Sequence, residues 1–389
     1  MGMCNEMRAH LETVILPFWE GLLDARGGYI GFVDCDLHKD AEAERGCILN
    51  SRILWFFSTG LRVLGDGRLR RYADHAYDAL LRMEDKAHGG VYWSVGAGFA
   101  PLDQTKHTYC QAFAIYGLAA YARATGSEEA YQAAMRLYDV IEGKCRDREG
   151  YLEAFRADFS PESNEKLSEN GVSATRTMNT LLHVMEAYAE LYRVHGDAKV
   201  RKSLYEQFGI WEKHIWNGRL DRQEVFFDRD YNSLIDLTSF GHDIETSWLL
   251  DRALDTLNDP ELTGRIRPKL LRLAKAVVDA AVSENGTDNE CERGKVDHTR
   301  IWWVQAESLL GCLNAWKHTG GEEYLAGAKN QWRYILAHVW DRREGGEWFW
   351  SVAPDGTPSR KPIVEPWKCP YHNGRMILET IAGGEYENL

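Results

Sequence analysis

A short turn-like segment, in most cases with glycine beside an aromatic residue, recurs six times and constrains the fold more than any other feature. The segments start at Gly27, Gly89, Glu149, Glu224, Glu284 and Gly345, at intervals of 62, 60, 75, 60 and 61 residues. Between them apolar residues recur at i, i+3, i+4 and i+7, which is typical of helices. The stretch ILNSRILWFFSTGLRVL followed by RRYADHAYDALLRME is one pair of such patterns. The sequence therefore predicts six helical hairpins.

These hairpins determine the fold class. A hairpin of about 60 residues cannot bury its apolar face alone, so neighbouring hairpins must stack. An open superhelical solenoid is the alternative, but it needs polar caps that the series lacks. We predict an all-α (α/α)6 barrel with short β-hairpin-like loops, in which the first, more apolar helix of each hairpin lies in the inner layer. No Pro- or Ser-rich linker interrupts the series, so residues 1–389 are expected to form one domain.

The overall charge limits the possible partners. With a net charge of −13, the chain lacks the basic surface that nucleic acids and anionic membranes require. It also lacks an apolar run of about 18 residues that could span a membrane. Fourteen tryptophans are more than a core of this size needs, and indoles can stack on sugar rings as well as pack. We expect a monomer with neither nucleic acid nor membrane as a partner, and the tryptophans leave a sugar-binding cleft and ordinary packing both open.

The cysteines and the first residues indicate the compartment. Eight cysteines are scattered along the chain without a C-x-x-C pair. The first twenty residues, MGMCNEMRAHLETVILPFWE, show no signal-peptide pattern and enter an amphipathic helix at once. We therefore expect free thiols and a cytoplasmic location.

Polar and aromatic side chains collect in the predicted inner helices, where leucine and alanine would suffice for packing. Asn179 and His183 are four residues apart and so share one helix face. One or more members come from nearly every repeat: Arg52, Tyr109, Gln111, Asn179, His183, His242, Glu245, Trp248, Arg300, Trp303, Glu307, Trp367 and His372.

Several interpretations of this set are open. Buried charges require partners, so structural ion pairs such as Arg52 with Glu307 are one possibility. His242 could simply be a boundary residue in a helix first turn whose acids offset the dipole. Three histidines with Glu307 could hold a metal, although His242-x-x-Glu245 is a weak match to zinc spacing. Ion pairs explain three histidines among tryptophans poorly, so we favour an active site without metal. No glycine-rich phosphate loop is present, and no cofactor is expected.

At these positions the chain resembles the N-acylglucosamine 2-epimerase superfamily over essentially its whole length. The segments that carry the resemblance are LNSRILWFFS, KHTYCQAFAIY, LSENGVSATRTMNTLLHVMEAY, SFGHDIETSWLLDRA, RIWWVQAE, REGGEW and PWKCPYHNGRM. The resemblance implies an (α/α)6 barrel and reversible inversion at C2 of a reducing-end sugar, without metal or nicotinamide. It is greatest for the branch that acts on β-1,4-linked disaccharides.

The resemblance also implies roles for individual residues. His242 and His372 would be the catalytic acid/base pair, while Arg52 and His183 would support the reaction centre. Site positions of the family fall on Glu245, Trp248, Trp303, Glu307 and Trp367, and we add Tyr109 and Asn179 from the polar set as substrate-binding residues.

This chemistry suits the residue types. The C2 hydrogen of an open-chain aldose is acidic because the C1 carbonyl accepts the charge as an enediolate. Histidine is a suitable base near neutral pH, and two histidines on opposite faces allow one to abstract and the other to donate. Arg52 would hold the oxyanion, and Glu245 and Glu307 would fix tautomers and bind hydroxyls.

Three alternatives remain at this point. A mannose isomerase or a monosaccharide 2-epimerase of the same superfamily would differ in where the second proton lands and in cleft length. A glycoside hydrolase would use Glu245 and Glu307 as two carboxylates, about 6.5–9.5 Å apart if it inverts. A non-catalytic carbohydrate-binding protein would need the tryptophans but not the paired histidines.

Overall fold

Helices form most of the chain, as the repeat predicts. The computed structural model describes residues 2–167, 170–384 and 386, so positions 168 and 169 of the segment that begins LSENG lie outside the described residues. Within the described residues the helices are α1 (Met3–His10), α2 (Leu16–Glu20), α3 (Cys47–Leu64), α4 (Arg70–Leu81), α5 (Thr108–Thr125), α6 (Glu128–Lys144), α7 (Met178–His195), α8 (Ala198–Ile210), α9 (Phe240–Leu257), α10 (Pro260–Ala281), α11 (Trp302–Thr319), α12 (Glu322–Tyr334) and α13 (His372–Ala382).

Shorter helical turns extend some of these helices. A 3₁₀ turn precedes α4, and a π-helical turn joins α1 to α2 and extends α8 and α12. Their bounds are Gly67–Leu69, Leu11–Ile15, Trp211–Ile215 and Ile335–Val339.

Six helices form a closed inner ring. Helices α3, α5, α7, α9, α11 and α13 each contact the next, and α13 contacts α3. The first five of them are 18 residues long and bury most of their side chains, polar ones included. The outer helix α4, in contrast, buries only one face. The fold is therefore the predicted (α/α)6 barrel with the more apolar helices inside, and the open solenoid is wrong.

The sixth helix pair differs from the predicted contiguous hairpin. Its inner member is α13 at one end of the sequence, and its outer member is α1 at the other, and the two helices are in contact. The indole of Trp332 donates to Glu6 at 3.1 Å, and that of Trp348 donates to His10 at 2.9 Å. These contacts bury the apolar face of α1 against the last repeat, so the two ends of the chain complete the ring.

Short antiparallel strands lie in the loops between the helices. None of the strands in the described part of the chain exceeds three residues. Their bounds are Phe32–Val33, Lys39–Asp40, Arg45–Gly46, Ser94–Val95, Pro101–Asp103, Lys106–His107, Ala154–Phe155, Arg176–Thr177, Trp216–Asn217, Arg222–Gln223, Phe226–Phe227, Leu237–Ser239, Val282–Ser283, Gly286–Thr287, Glu290–Glu292, Lys295–Asp297, Arg300–Ile301 and Ser351–Val352.

Some of these strands tie the amino-terminal ends of the inner helices together, and we call them the strand girdle. A strand precedes each of α3, α5, α7, α9 and α11 directly and pairs with a strand of the following repeat. The five pairs are Arg45–Gly46 with Ser94–Val95, Lys106–His107 with Ala154–Phe155, Arg176–Thr177 with Phe226–Phe227, Leu237–Ser239 with Glu290–Glu292, and Arg300–Ile301 with Ser351–Val352. A bridge between Val33 and Val364 closes the series before α13.

The core lies between the two helix layers and is rich in aromatic residues. The indoles of Trp19, Trp211 and Trp348 are almost fully buried there. None of the described helices is both long enough and apolar enough to cross a membrane.

Candidate active site

A cavity of about 300 Å³ opens at the amino-terminal ends of the inner helices. Nine of the eleven predicted site residues line it: Arg52, Tyr109, Asn179, His183, His242, Glu245, Trp303, Trp367 and His372. Four of them, Tyr109, Asn179, His242 and Trp303, lie in the first turn of an inner helix directly after a strand of the girdle, and Arg52, His183 and Glu245 lie one turn further along. Because helix amino termini carry partial positive charge, their convergence favours an anion in the cavity.

His242 and His372 lie against the same indole. The ring centroid of Trp303 is 4.8 Å from that of His242 and 5.5 Å from that of His372. Nδ1 of His242 hydrogen-bonds the hydroxyl of Ser239 at 2.7 Å, and Nδ1 of His372 hydrogen-bonds Glu307 at 2.7 Å. Since Nδ1 of each ring is engaged by the protein, Nε2 is the atom left for substrate.

Burial favours the neutral form of both imidazoles. It lowers the pKa of His242 to about 3, with a further contribution from the charge of His183. Burial and the nearby guanidinium of Arg375 hold the pKa of His372 well below its usual range. A neutral imidazole can accept a proton at neutral pH, so each ring is a competent base.

Arg52 supplies a positive charge with no carboxylate partner among the described residues. Its guanidinium donates to the hydroxyl of Tyr109 at 2.9 Å and to the carbonyl of Trp367 at 3.2 Å, and it contacts the sulfur of Cys369 at 3.8 Å. The ion pair considered between Arg52 and Glu307 is therefore wrong. A guanidinium that no carboxylate neutralises can hold an oxyanion in the cavity.

The third histidine of the cavity is held by a carboxylate of its own helix. Nδ1 of His183 hydrogen-bonds Glu186 at 2.8 Å, one turn further along α7. The same carboxylate accepts from the hydroxyl of Tyr371 at 2.5 Å. The imidazole edge of His183 packs on Tyr109, with ring centroids 5.1 Å apart.

A buried arginine that the sequence reasoning missed joins these groups. Arg375 is fully buried beneath the cavity and donates to Glu186 at 2.5 Å, to Glu245 at 2.5 Å and to Glu307 at 2.7 Å. It follows His372 by three residues, as Glu186 follows His183. This i, i+3 spacing places each pair on one helix face and was the signal available in the sequence.

Two predicted substrate-binding residues lie behind the cavity wall instead. Trp248 and Glu307 do not line the cavity. The indole of Trp248 donates to Glu307 at 2.9 Å, and the other oxygen of Glu307 holds His372. Direct contact of these two residues with substrate stays a prediction; in the structure Trp248 supports Glu307, which in turn holds His372.

Two further members of the polar set form contacts with the loops between the helices. The side-chain amide of Gln111 bonds both backbone groups of Val91, and Arg300 pairs with Asp288. Neither Gln111 nor Arg300 lines the cavity. Loop and helix-start residues that do line it were not identified from the sequence: Lys166, Leu167, Ser239, Asn289, Glu290, Ile301, Trp302, Trp350 and Lys361.

A metal site does not fit this arrangement well. In the described chain the cluster with metal-ligand geometry is Glu245, Glu307 and His372, whose donor atoms lie within 4.8 Å of one another. It contains one histidine, not the three considered from the sequence. Nη2 of Arg375 already bonds both carboxylates, so a cationic group of the protein lies where a metal ion would bind.

The same geometry argues against an inverting glycoside hydrolase. Glu245 and Glu307 have oxygens within 4.8 Å of each other and share one guanidinium, and only Glu245 faces the cavity. An inverting hydrolase needs its carboxylates about 6.5–9.5 Å apart, on opposite sides of the scissile bond. These two cannot flank a substrate.

Known proteins are similar to this chain in sequence and in fold. Residues 28–374 match the family model described as N-acylglucosamine 2-epimerase (GlcNAc 2-epimerase). A cellobiose 2-epimerase from Eubacterium cellulosolvens is 48% identical and covers 96% of this chain and 97% of its own length. The solved structure of a sugar epimerase from a ruminal bacterium has a TM-score of 0.97 at 43% identity, covering 98% of this chain and 99% of that one. A D-mannose isomerase from Marinomonas mediterranea is 22% identical, covering 96% of each chain.

Proposed function

The chain belongs to the N-acylglucosamine 2-epimerase family, and we infer that it is an isomerase that inverts C2 of the reducing-end glucose of β-1,4-linked disaccharides. It converts cellobiose to glucosyl-mannose and lactose to epilactose, reversibly. The pair of histidines on one indole carries this conclusion, because C2 inversion needs one group that accepts a proton and a second that donates one, and no carboxylate pair.

In the proposed reaction the sugar ring opens and exposes the C1 aldehyde. One histidine of the pair His242 and His372 removes the proton from C2, and the electron pair moves through C1 to its oxygen as an enediolate. The other histidine enters this step as an imidazolium and returns its Nε2 proton to the opposite face of C2, so the two rings exchange protonation states during the reaction. Arg52 and the helix amino termini stabilise the negative charge of the enediolate between the two proton transfers. Such electrostatic stabilisation is usually the largest contribution to the rate enhancement. His183, with its imidazole fixed by Glu186, supports the same centre.

Binding of a disaccharide is supported by the aromatic wall. Trp303, Trp350 and Trp367 all line the cavity, and the last two come from the connection between α12 and α13. Stacking of a sugar on each ring contributes roughly 1 kcal/mol or more. The second sugar thereby adds binding that positions C2 for attack. Tyr109, Asn179 and Glu245 are the polar groups available for its hydroxyls.

Proton exchange tests the function directly. We would incubate the enzyme in heavy water with cellobiose, lactose, mannose and N-acetylglucosamine and follow the products by NMR. Deuterium should appear at C2 of the reducing sugar of the two disaccharides, with much slower reaction of the monosaccharides. A clear preference for mannose, with a proton delivered to C1, would instead make the protein a mannose isomerase.

We further propose that the enzyme is a cytoplasmic monomer that needs no metal or cofactor. All eight cysteines are free thiols, which supports a reducing compartment. The guanidinium of Arg375 within the carboxylate cluster supports metal independence. Exhaustive dialysis against EDTA should leave the rate unchanged, whereas activity that is lost and then restored by zinc or manganese would contradict this.

A further inference from the structure

Three buried carboxylates surround a single guanidinium beneath the cavity. Glu186, Glu245 and Glu307 all accept hydrogen bonds from Arg375, and all four side chains are at least 93% buried. The next cation is Arg52, which forms no ion pair with them. Three ionised carboxylates would therefore carry two negative charges more than the one guanidinium that bonds them. Since an unpaired buried charge is costly, protonation of one of the three stabilises the cluster.

Two of the carboxylates are fully supplied with donors. Glu186 accepts from Arg375, from His183 and from Tyr371. Glu307 likewise accepts three hydrogen bonds, which come from Arg375, His372 and Trp248. Each set of three donors stabilises the ionised form, because a carboxylate can accept at both oxygens but a protonated acid must give up one acceptor site.

The third carboxylate has one donor only. Within the described residues, Glu245 accepts a single hydrogen bond, at Oε1 from Arg375, and no hydrogen bond engages Oε2. Glu245 is also the only one of the three that lines the cavity. It is therefore the carboxylate least stabilised as an anion and the one that a substrate can reach.

We propose that Glu245 is protonated in the working enzyme and acts as a neutral hydrogen-bond donor to the substrate oxygen on which the enediolate charge develops. This inference rests on the proposed function. An ionised Glu245 would repel the enediolate, whereas a protonated one donates to it and adds to the positive charge of Arg52. A neutral carboxylic acid that donates to an oxyanion is an established catalytic device.

The surroundings of Glu245 support this protonation state. Burial, together with the neighbouring Glu307, raises the pKa of Glu245 to about 7, against the opposing effect of Arg375. Burial also acts on Glu186, but Arg375 and His183 outweigh it and lower its pKa to about 2. In Glu307 burial prevails over Arg375 and Trp248 and raises the pKa, so the hydrogen bonds and the contact with the cavity distinguish Glu245 from Glu307. The titratable and charged groups that act on Glu245 from the neighbouring elements are Tyr109, His183, Glu186, Glu307, Tyr371 and Arg375.

A matched pair of substitutions tests the proposal. Glu245→Gln keeps a neutral donor at this position, whereas Glu307→Gln removes the anion that holds His372. We expect kcat/KM to fall by up to about tenfold in E245Q, which keeps a weaker neutral donor, and by about a hundredfold or more in E307Q. The wild-type kcat/KM should also fall as pH rises through about 7, where Glu245 ionises, and this decline should be absent in E245Q. Equal losses in the two variants, with unchanged thermal stability, would overturn the role.

Infrared spectroscopy gives a readout that does not depend on activity. At pH 6 the wild-type-minus-E245Q difference spectrum should contain the carbonyl stretch of a protonated carboxyl, and the band should vanish at pH 8.5. Other buried acids with raised pKa values, such as Glu153 and Asp243, are common to both proteins and cancel. Absence of the band at pH 6 would overturn the protonation. If the wild type exchanges no deuterium at C2, the proposed function fails, and the infrared band then decides the state of Glu245 by itself.

Discussion

At the residue scale, the two catalytic histidines differ in what holds them. A charged carboxylate, Glu307, holds His372, whereas the neutral hydroxyl of Ser239 holds His242. A carboxylate stabilises an imidazolium more than a hydroxyl does. The two proton transfers are therefore carried out by bases of unequal strength. Unequal bases are compatible with a reaction that interconverts two different sugars.

Each histidine is required in both directions of the reaction. We expect His242→Asn and His372→Asn each to lower kcat/KM by about 10⁴-fold, since each removes one of the two proton carriers. Asparagine is polar and of similar size, so melting temperatures should change little. The rates and thermal unfolding of the two variants would be measured side by side. More than a few per cent of wild-type activity in either variant, with normal stability, would contradict the two-base assignment.

The lowered pKa of His242 also links stability to pH. The folded protein resists protonation of this ring down to about pH 3, whereas the unfolded chain binds the proton near pH 6.5. The unfolded state therefore gains protons first as pH falls, and the free energy of unfolding decreases below pH 6.5, by on the order of 1 kcal/mol per pH unit. Urea unfolding at pH 7 and pH 5 should show a smaller difference in His242→Asn than in the wild type. The same change in the free energy of unfolding between the two pH values in both proteins would contradict a contribution of His242.

Much of the site at this scale was predictable from the sequence. His183, His242 and Arg52 stood out because they are polar within apolar helical patterns. Arg375 is also a polar residue within an apolar helical pattern, but it was missed. No pair of positions in the sequence shows that its guanidinium bonds carboxylates from three helices. Lys361 and Asn289 could not be predicted, because the path of a loop across the cavity depends on tertiary contacts.

At the element scale, the inner ring depends on close approach between neighbouring helices. A Cβ atom added at Gly374 would lie 2.5 Å from the ring of Phe56, where α13 meets α3. We expect Gly374→Ala to lower the free energy of unfolding by about 1–3 kcal/mol, as other overpacked cores do. Chemical denaturation would measure this change in the free energy of unfolding.

A matched control lies on the outer layer. Gly264 in α10 is exposed, and a Cβ there would meet no atom within 4 Å. Gly264→Ala should be neutral or stabilising by up to about 1 kcal/mol, because alanine favours the helix. A loss at position 264 as large as at 374 would show that steric contact is not the cause.

Helices and strands differed in how well the sequence revealed them. The periodicity of ILNSRILWFFSTGLRVL was enough to predict α3, because an 18-residue helix shows its apolar face several times. The strand girdle was not predictable in the same way. Arg45–Gly46 spans two residues, and its partner Ser94–Val95 belongs to the next repeat, so no local pattern records the pairing.

At the scale of the whole molecule, the barrel depends on α1, the element furthest in sequence from its partner α13. Deletion of residues 2–20 should abolish cooperative unfolding and activity together. It removes Leu11, Ile15 and Trp19 from the core, each worth about 1.5–3 kcal/mol, out of a typical total stability of 5–15 kcal/mol. Circular dichroism and calorimetry of the truncated protein would test this. A truncated chain with an unchanged melting temperature would mean that the ring does not need its sixth outer helix, and would also count against the prediction of one domain.

The pairing of the first helix with the last has a consequence for how the gene can be rearranged. Helices α13 and α1 form an inner–outer pair like the other five, but no turn joins them. The arrangement of the ring therefore does not require the chain to begin at α1. A chain circularly permuted at the turn between α7 and α8, with its original ends joined by a short linker, should fold to the same barrel with all six contributions to the cavity in place. The ring therefore does not dictate the order of the repeats along the chain, and each of its five exposed turns is a site where a fusion partner can be inserted.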